Sequence, residues 1–158
     1  MGVSGSGKST LAAALAQALG WPMVEGDDFH SPANRDKMAR GIALTDADRE
    51  QWLAALARQL AQAPHPVVMT CSALKHKYRE QLRASRGLRF VFLDLPIEAA
   101  RARVTARPDH FFAADLVDSQ FQTLEPPVAE AGVLTLDARA PLQQSLIQAR
   151  QWAEKGIL

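Results

Sequence analysis

The sequence predicts an α/β sandwich, a parallel sheet with helices on both faces. Three observations predict it. Short apolar runs alternate with longer helical patterns along the 158 residues. A glycine-rich loop, GVSGSGKS, opens directly into an amphipathic helix. An acidic segment, VEGDDFH, follows a short strand, at the kind of strand end where open α/β sheets hold ligands. The whole chain, 1–158, is read as one domain: an apolar fraction of 47% against 22% charged residues suits a globular core and excludes a disordered chain.

The elements follow in order. Leu11, Leu15 and Leu19 recur on one face of a helix from Lys8 to Leu19, and Gly20 is a natural stop. WPMVEGDDF reads as a short strand ending in carboxylates. Thr45 with Asp48 three residues on reads as a capping-box start. The helix it opens runs to about Ala63 with Trp52, Leu53, Leu56 and Leu60 inward, and Pro64 closes it. PVVMTCSA is an apolar strand of the kind buried on both faces. Helical patterns cover His76 to Ser85 and Ile97 to Ala106, flanking the strand LRFVFLDL. RPDHFF breaks the pattern before a helix over 114–124. GVLTLDA is the last strand, and Pro141 suits the first turn of a final helix carrying Leu142, Leu146 and Ile147.

Four strands follow the loop. A fifth is expected ahead of it, because such loops hang from the end of a strand, yet only Met1 precedes Gly2. Met1 is therefore expected to be an internal residue or a mis-set start, with roughly half a dozen strand residues before it in the natural protein.

Composition excludes several classes. A net charge of +1 argues against a nucleic-acid or anionic-membrane surface. One cysteine, Cys71, rules out an internal disulfide and fits a reducing, cytoplasmic setting. No apolar run approaches the ~20 residues that span a bilayer, and the polar N-terminus is no secretory signal.

Gly2 to Ser9 satisfy the Walker A pattern G-x-x-x-x-G-K-[ST]. Backbone N–H groups of Gly2, Val3, Ser4, Gly5, Ser6 and Gly7 can surround a polyphosphate because the glycines leave no Cβ in the way. Lys8 is expected on the β- and γ-phosphates, with the Ser9 hydroxyl on Mg²⁺. In the acidic segment, Asp27 is the better candidate to accept a proton from an attacking hydroxyl, and Glu25 to hold Mg²⁺ through water. His30 reads equally as a turn residue bonded to backbone.

Two basic segments remain. Lys75 and Arg79 are four apart on one helix face and suit a carboxylate, with Arg79 able to pair bidentately. Lys77 and Arg83 read as a solvated face. Arg103 and Arg107, also four apart, end a helix that breaks at Pro108, where arginines can neutralise a transferring phosphoryl group.

Taken together, the loop, EGDDFHSPANRDKMARGIALTDADREQWL, CSALKHKYREQLR and HFFAADLVDSQFQTLEPP resemble the gluconate kinase (gluconokinase) family, in order over nearly the whole chain. The resemblance implies a P-loop kinase three-layer sandwich with a mobile lid at about 107–124. It implies phosphorylation of D-gluconate on its 6-hydroxyl, with ATP and Mg²⁺ as cofactors. Carried over by position, Gly5, Gly7, Lys8, Ser9 and Thr10 meet ATP and Mg²⁺, Asp27 faces the substrate hydroxyl, and Arg103 and Arg107 are lid arginines. His30, Arg49, Lys75, Arg79 and Gln120 are the implied gluconate contacts, unranked among themselves. A homodimer is also implied. Two departures stand out: Glu at position 25, where some relatives use Asp, and the missing first strand.

Two alternatives stay open on the residues alone. One is a P-loop kinase for another small hydroxy acid such as shikimate, against which CSALK replaces the expected glycine-rich turn. The other is a truncated nucleotide-binding protein without turnover, supported by the missing strand.

Overall fold

The computed structural model describes residues 1–84, 87–106 and 115–155. Helix α1 spans Lys8–Leu19 and ends at Gly20, whose left-handed backbone returns its N–H to the carbonyls of Ala16 and Gln17. Strand β1, Met23–Glu25, runs into a single 3-10 turn, Gly26–Phe29. Helix α2, Pro32–Ala39, was not among the expected elements. It lacks an apolar stripe, but its start is well specified: Ser31 accepts a bond from the Asn34 N–H, and Pro32 occupies the first turn.

Helix α3, Asp46–Gln62, opens on the expected capping box between Thr45 and Asp48. Strand β2 is only Val68–Thr70, followed by α4, His76–Arg83. Strand β3, Phe90–Asp94, leads to α5, Ile97–Thr105. Then come α6, Asp115–Thr123, β4, Val133–Asp137, and α7, Leu142–Glu154. Pro141 falls at the cap of α7, one position ahead of the first turn expected for it. The RPDHFF break and the start of the lid segment, 107–114, lie outside the described residues.

All strand pairing is parallel, in two separate pairs. Strand β1 pairs with β2, Met23 opposite Val68 and Glu25 opposite Thr70. Strand β3 pairs with β4 from Phe90 opposite Val133 to Asp94 opposite Asp137. Strands β2 and β3 do not pair with each other. Between them sits the start of the chain. The Met1 amino group donates to Val91 O at 2.6 Å, and Leu93 N donates to Met1 O at 3.0 Å, the pattern of a parallel ladder. On the other side Gly2 N donates to Ser72 O at 3.1 Å. Beside this single rung lies a cavity of about 580 Å³, lined by Leu11, Leu15, Val68, Met69, Phe90 and Val91 among others. The sheet thus has two halves and a slot.

Helices cover both faces, as β3 shows through its period of two. Phe90 packs with Trp52, Leu53, Leu56, Tyr78 and Leu82 of α3 and α4. Val91 and Leu93 pack with Leu11, Leu15, Leu136 and Ala149 of α1, β4 and α7. A third cluster, Val3, Leu74, Leu95, Ala100, Val104 and Val117, sits under the glycine-rich loop and fixes it to α5 and α6.

Candidate active site

The loop owes its shape to close backbone packing. At Gly2, with φ at +137°, a Cβ would lie 2.8 Å from Leu93 O, so no side chain is accommodated. Val3, 2% exposed, anchors the loop in the core. Arg103 ties it from the outside, donating to Gly5 O at 3.1 Å and to Ala138 O at 3.0 Å. Lys8 Nζ donates to Val3 O at 2.9 Å. No side chain caps α1, so its leading N–H groups lack partners within the helix. The Ser6 hydroxyl is buried with no partner among the described residues. A concave backbone, a helix N-terminus and an unmatched buried hydroxyl fit a polyphosphate. Ser9 and Thr10 stand exposed on the first turn of α1.

The acidic turn is built against β2. A Cβ at Gly26 would meet Thr70 O at 2.1 Å, and the Gly26 N–H donates to Thr70 Oγ1 at 3.1 Å. The same hydroxyl donates to Glu25 Oε2 at 2.5 Å. Glu25, the expected Mg²⁺ holder, is therefore bonded at the strand end. Asp27 leaves the turn with its side chain 56% exposed. His30 is buried and stacks on Trp52, ring centroids 4.2 Å apart, while the Trp52 indole N–H holds Gly26 O at 2.8 Å. His30 Nε2 lies 3.8 Å from Asp27 Oδ1, and its buried Nδ1 has no partner among the described residues. Burial pushes the His30 pKa down to about 4 despite the opposing pull of Asp27, so the imidazole is neutral at pH 7.

Between loop and turn lies a pocket of mixed lining, with Met38, Leu44, Trp52 and Leu116 on its apolar side. Lys8, Asp27, His30, Arg49 and Gln120 line it, joined by Ser72 and Ser119. Its volume is about 40 Å³. Helix α6 forms one wall, and Gln120 Oε1 accepts a 2.7 Å bond from Ser4 N of the loop. Arg49 Nη1 donates to Leu44 O at 2.6 Å.

Other expected residues sit elsewhere. Lys75 pairs with Asp46 at 3.0 Å, and Asp46 also takes Lys77 at 2.6 Å and the Tyr78 hydroxyl. Those hydrogen bonds, led by Lys77, hold the Asp46 pKa well below the carboxylate range. Lys77, read as part of a solvated face, is exposed there and pairs with Asp46 as well. Arg79 is 1% exposed, with its guanidinium bonded inside the protein. Arg83, also read as solvated, is only 22% exposed and pairs with Glu130. Arg107 lies outside the described residues. The sequence reading missed Ser72 and Ser119 as pocket residues, took Trp52 only for core, and had no signal for Glu130.

A phosphate cradle facing a carboxylate across a small pocket of mixed lining, on a parallel α/β sheet, defines a P-loop phosphotransferase. A family model described as an AAA domain matches residues 1–127. The chain is 49% identical over 131 residues to a gluconokinase of Gluconobacter oxydans, covering 80% of this chain and 74% of that one. It is 38% identical to the thermoresistant gluconokinase of Escherichia coli, covering 99% and 92%. Among solved structures, a gluconokinase from Sinorhizobium meliloti superposes with a TM-score of 0.89 at 44% identity, covering 98% and 89%. A shikimate kinase from Bacteroides thetaiotaomicron, at 21% identity and a TM-score of 0.66, shares the fold. The chain belongs to the gluconokinase family.

Proposed function

We propose that the protein transfers the γ-phosphoryl group of ATP to the 6-hydroxyl of D-gluconate, giving 6-phosphogluconate. The observation that carries the reading is the pocket itself, in which a loop lysine, an exposed carboxylate, a neutral imidazole, an arginine and an amide converge. Gluconate offers a carboxylate and a run of hydroxyls, and needs a mixed lining of this kind.

The roles follow from the chemistry of each group. Asp27 orients the 6-hydroxyl and accepts its proton. His30, neutral, hydrogen-bonds a substrate hydroxyl through Nε2, on the side of Asp27, because Nδ1 is buried. Arg49 is the lining cation for the substrate carboxylate. Gln120 exchanges its bond to Ser4 N for one to the acceptor. Lys8 and the loop amides of residues 2–10 hold the phosphates. Arg103 keeps the loop in shape, and Arg107 is the second arginine that the family resemblance brings to the transferring group. Ser9, and Glu25 through water, would hold Mg²⁺, which would supply charge neutralisation to the phosphates. The family resemblance also carries a homodimer, which sedimentation of the purified chain decides.

The test is ADP release from MgATP with a panel of sugar acids. Stimulation by gluconate well above the blank is expected. Stimulation by shikimate or another hydroxy acid instead would move the substrate assignment. ATP binding without turnover on any acceptor would sink the kinase reading. Among the described residues no helix is long and apolar enough to cross a membrane.

A further inference from the structure

Arg79 has the chemistry of a carboxylate ligand and none of the access. Its side chain is 2% exposed. Its guanidinium faces protein acceptors on all sides. Nε donates to the Glu130 carboxylate at 2.9 Å. Nη1 donates to Ala73 O at 2.9 Å and Leu74 O at 3.2 Å. Nη2 donates to Glu125 O at 3.1 Å and lies 2.8 Å from Glu130 Oε2. A guanidinium has five N–H groups in a fixed fork, and with this side chain buried none is open to a substrate. Burial raises the Glu130 pKa, but Arg79 and Arg83 outweigh it and bring it down to about 2, so the counter-charge is in place at neutral pH.

The three carbonyls that Arg79 holds belong to two chain segments, and both run into the acceptor pocket. One is the turn after β2, where Ser72 lines the pocket and Ala73 is held at φ +46°, a conformation a non-glycine residue keeps only under constraint. The other is the exit of α6, whose Ser119 and Gln120 line the facing wall. Glu125 stitches the same two segments, its N–H donating to Leu74 O at 2.8 Å and its carboxylate accepting from His76 N at 2.6 Å. Arg79 stands at the centre of this stitching. Burying a charge is costly unless it is fully paired, and here the pairing is spent on holding two pocket walls together.

We propose that Arg79, with Glu130 as its counter-charge, is a positioning residue that fixes the spacing of the two acceptor-pocket walls, the turn at 72–75 and helix α6. The inference rests on the pocket being the acceptor site. The test compares Arg79→Lys and Glu130→Gln with the unaltered chain. A lysine keeps the charge but cannot serve three carbonyls and a carboxylate. For Arg79→Lys the KM for gluconate is expected to rise at least tenfold, with the KM for MgATP within twofold. Hydrogen exchange of peptides spanning 70–78 and 116–126 is expected to quicken together, by tenfold or more, while α1 peptides keep their protection. Glu130→Gln, which retains shape and one acceptor, is expected to move the same readouts in the same direction by about threefold, and serves if Arg79→Lys fails to fold. A raised gluconate KM with unchanged exchange in both walls would mean that Arg79 touches substrate, and overturns the proposal. Faster exchange throughout the chain with an unchanged gluconate KM would reduce Arg79 to a stability role, and overturns it too. The exchange pattern is read without turnover, so a failure of the gluconate assignment is told apart from a failure of the pin.

Discussion

The two ends of strand β2 are held in opposite ways. At its carboxyl end hydrogen bonds tie the chain down: Thr70 bonds Glu25 and Gly26, Ser72 O accepts from Gly2, and Arg79 gathers Ala73, Leu74 and Glu125. Along its inner edge, β2 faces β3 across a cavity of about 580 Å³ with one ladder rung, at Met1. The difference teaches that site geometry and sheet integrity come from different interactions here. Side-chain clamps and turn bonds set the pocket, whereas the underlying sheet is secured by helices packed on its faces. Catalysis and stability should therefore respond to different substitutions.

The largest expected effect breaks the site and spares the sheet. Asp27 has an exposed side chain at the pocket, so Asp27→Asn removes the proton acceptor and little packing. Turnover is expected to fall by roughly a hundredfold or more, with ATP affinity and melting temperature nearly unchanged. Calorimetric titration of ATP alongside steady-state rates checks it; a large loss of ATP affinity would assign Asp27 to the nucleotide.

The next prediction sharpens the comparison on the stability side. Leu56 is 0% exposed in the packed α3 cluster, so Leu56→Ala should cost about 2–5 kcal/mol. Val91 is half-buried at the edge of the cluster of Leu11, Leu15 and Leu93. Val91→Ala is expected to cost less than about 1 kcal/mol, below the usual range for a well-packed core position. Urea unfolding of both variants decides, and equal losses would mean that this edge is as tightly packed as the α3 side.

How much of this was legible in the sequence divides along the same line. The elements of strong period or cap were readable, from Leu11, Leu15 and Leu19 to the Thr45–Asp48 box. Helix α2 was not, because eight residues without an apolar stripe carry only the local signal of Ser31 and Pro32. The motifs located Lys8, Asp27, His30, Arg49 and Gln120, and the fold brings them to one pocket. Spacing put Lys75 and Arg79 on one helix face, but spacing does not say which face is inside. Arg79 lies in the core and Lys75 on Asp46, because Glu130 and Asp46 arrive from segments 51 and 29 residues away in sequence. Partners that distant leave no local pattern.

A pH prediction tests the turn next to the pocket. The His30 pKa is lowered from 6.5 to about 4, chiefly by burial. Between those values the unfolded chain binds a proton that the folded chain does not, so stability rises with pH across that window and falls as pH drops through it. At about 1.4 kcal/mol per unit, the loss between pH 7.5 and pH 5 should be about 2 kcal/mol. His30→Gln should flatten this part of the profile. An unchanged slope in that variant would mean that other groups carry it.

The smallest expected effect concerns Lys75. It is anchored on Asp46, which is shared with Lys77 and the Tyr78 hydroxyl. Removing one of three partners leaves the carboxylate paired, and Asp46 is open to water, where such pairs contribute little. Lys75→Ala should change the unfolding midpoint by an amount worth about 0.5 kcal/mol or less. Its effect on the gluconate KM should stay within about threefold, since the ammonium points to Asp46 and does not line the pocket. Arg49→Ala, by contrast, removes a lining cation and should raise that KM by at least tenfold, about 1.4 kcal/mol. If Lys75→Ala raised the KM as much as Arg49→Ala, Lys75 would have to leave Asp46 when gluconate enters, and the clamped end of β2 would be less fixed than its hydrogen bonds indicate.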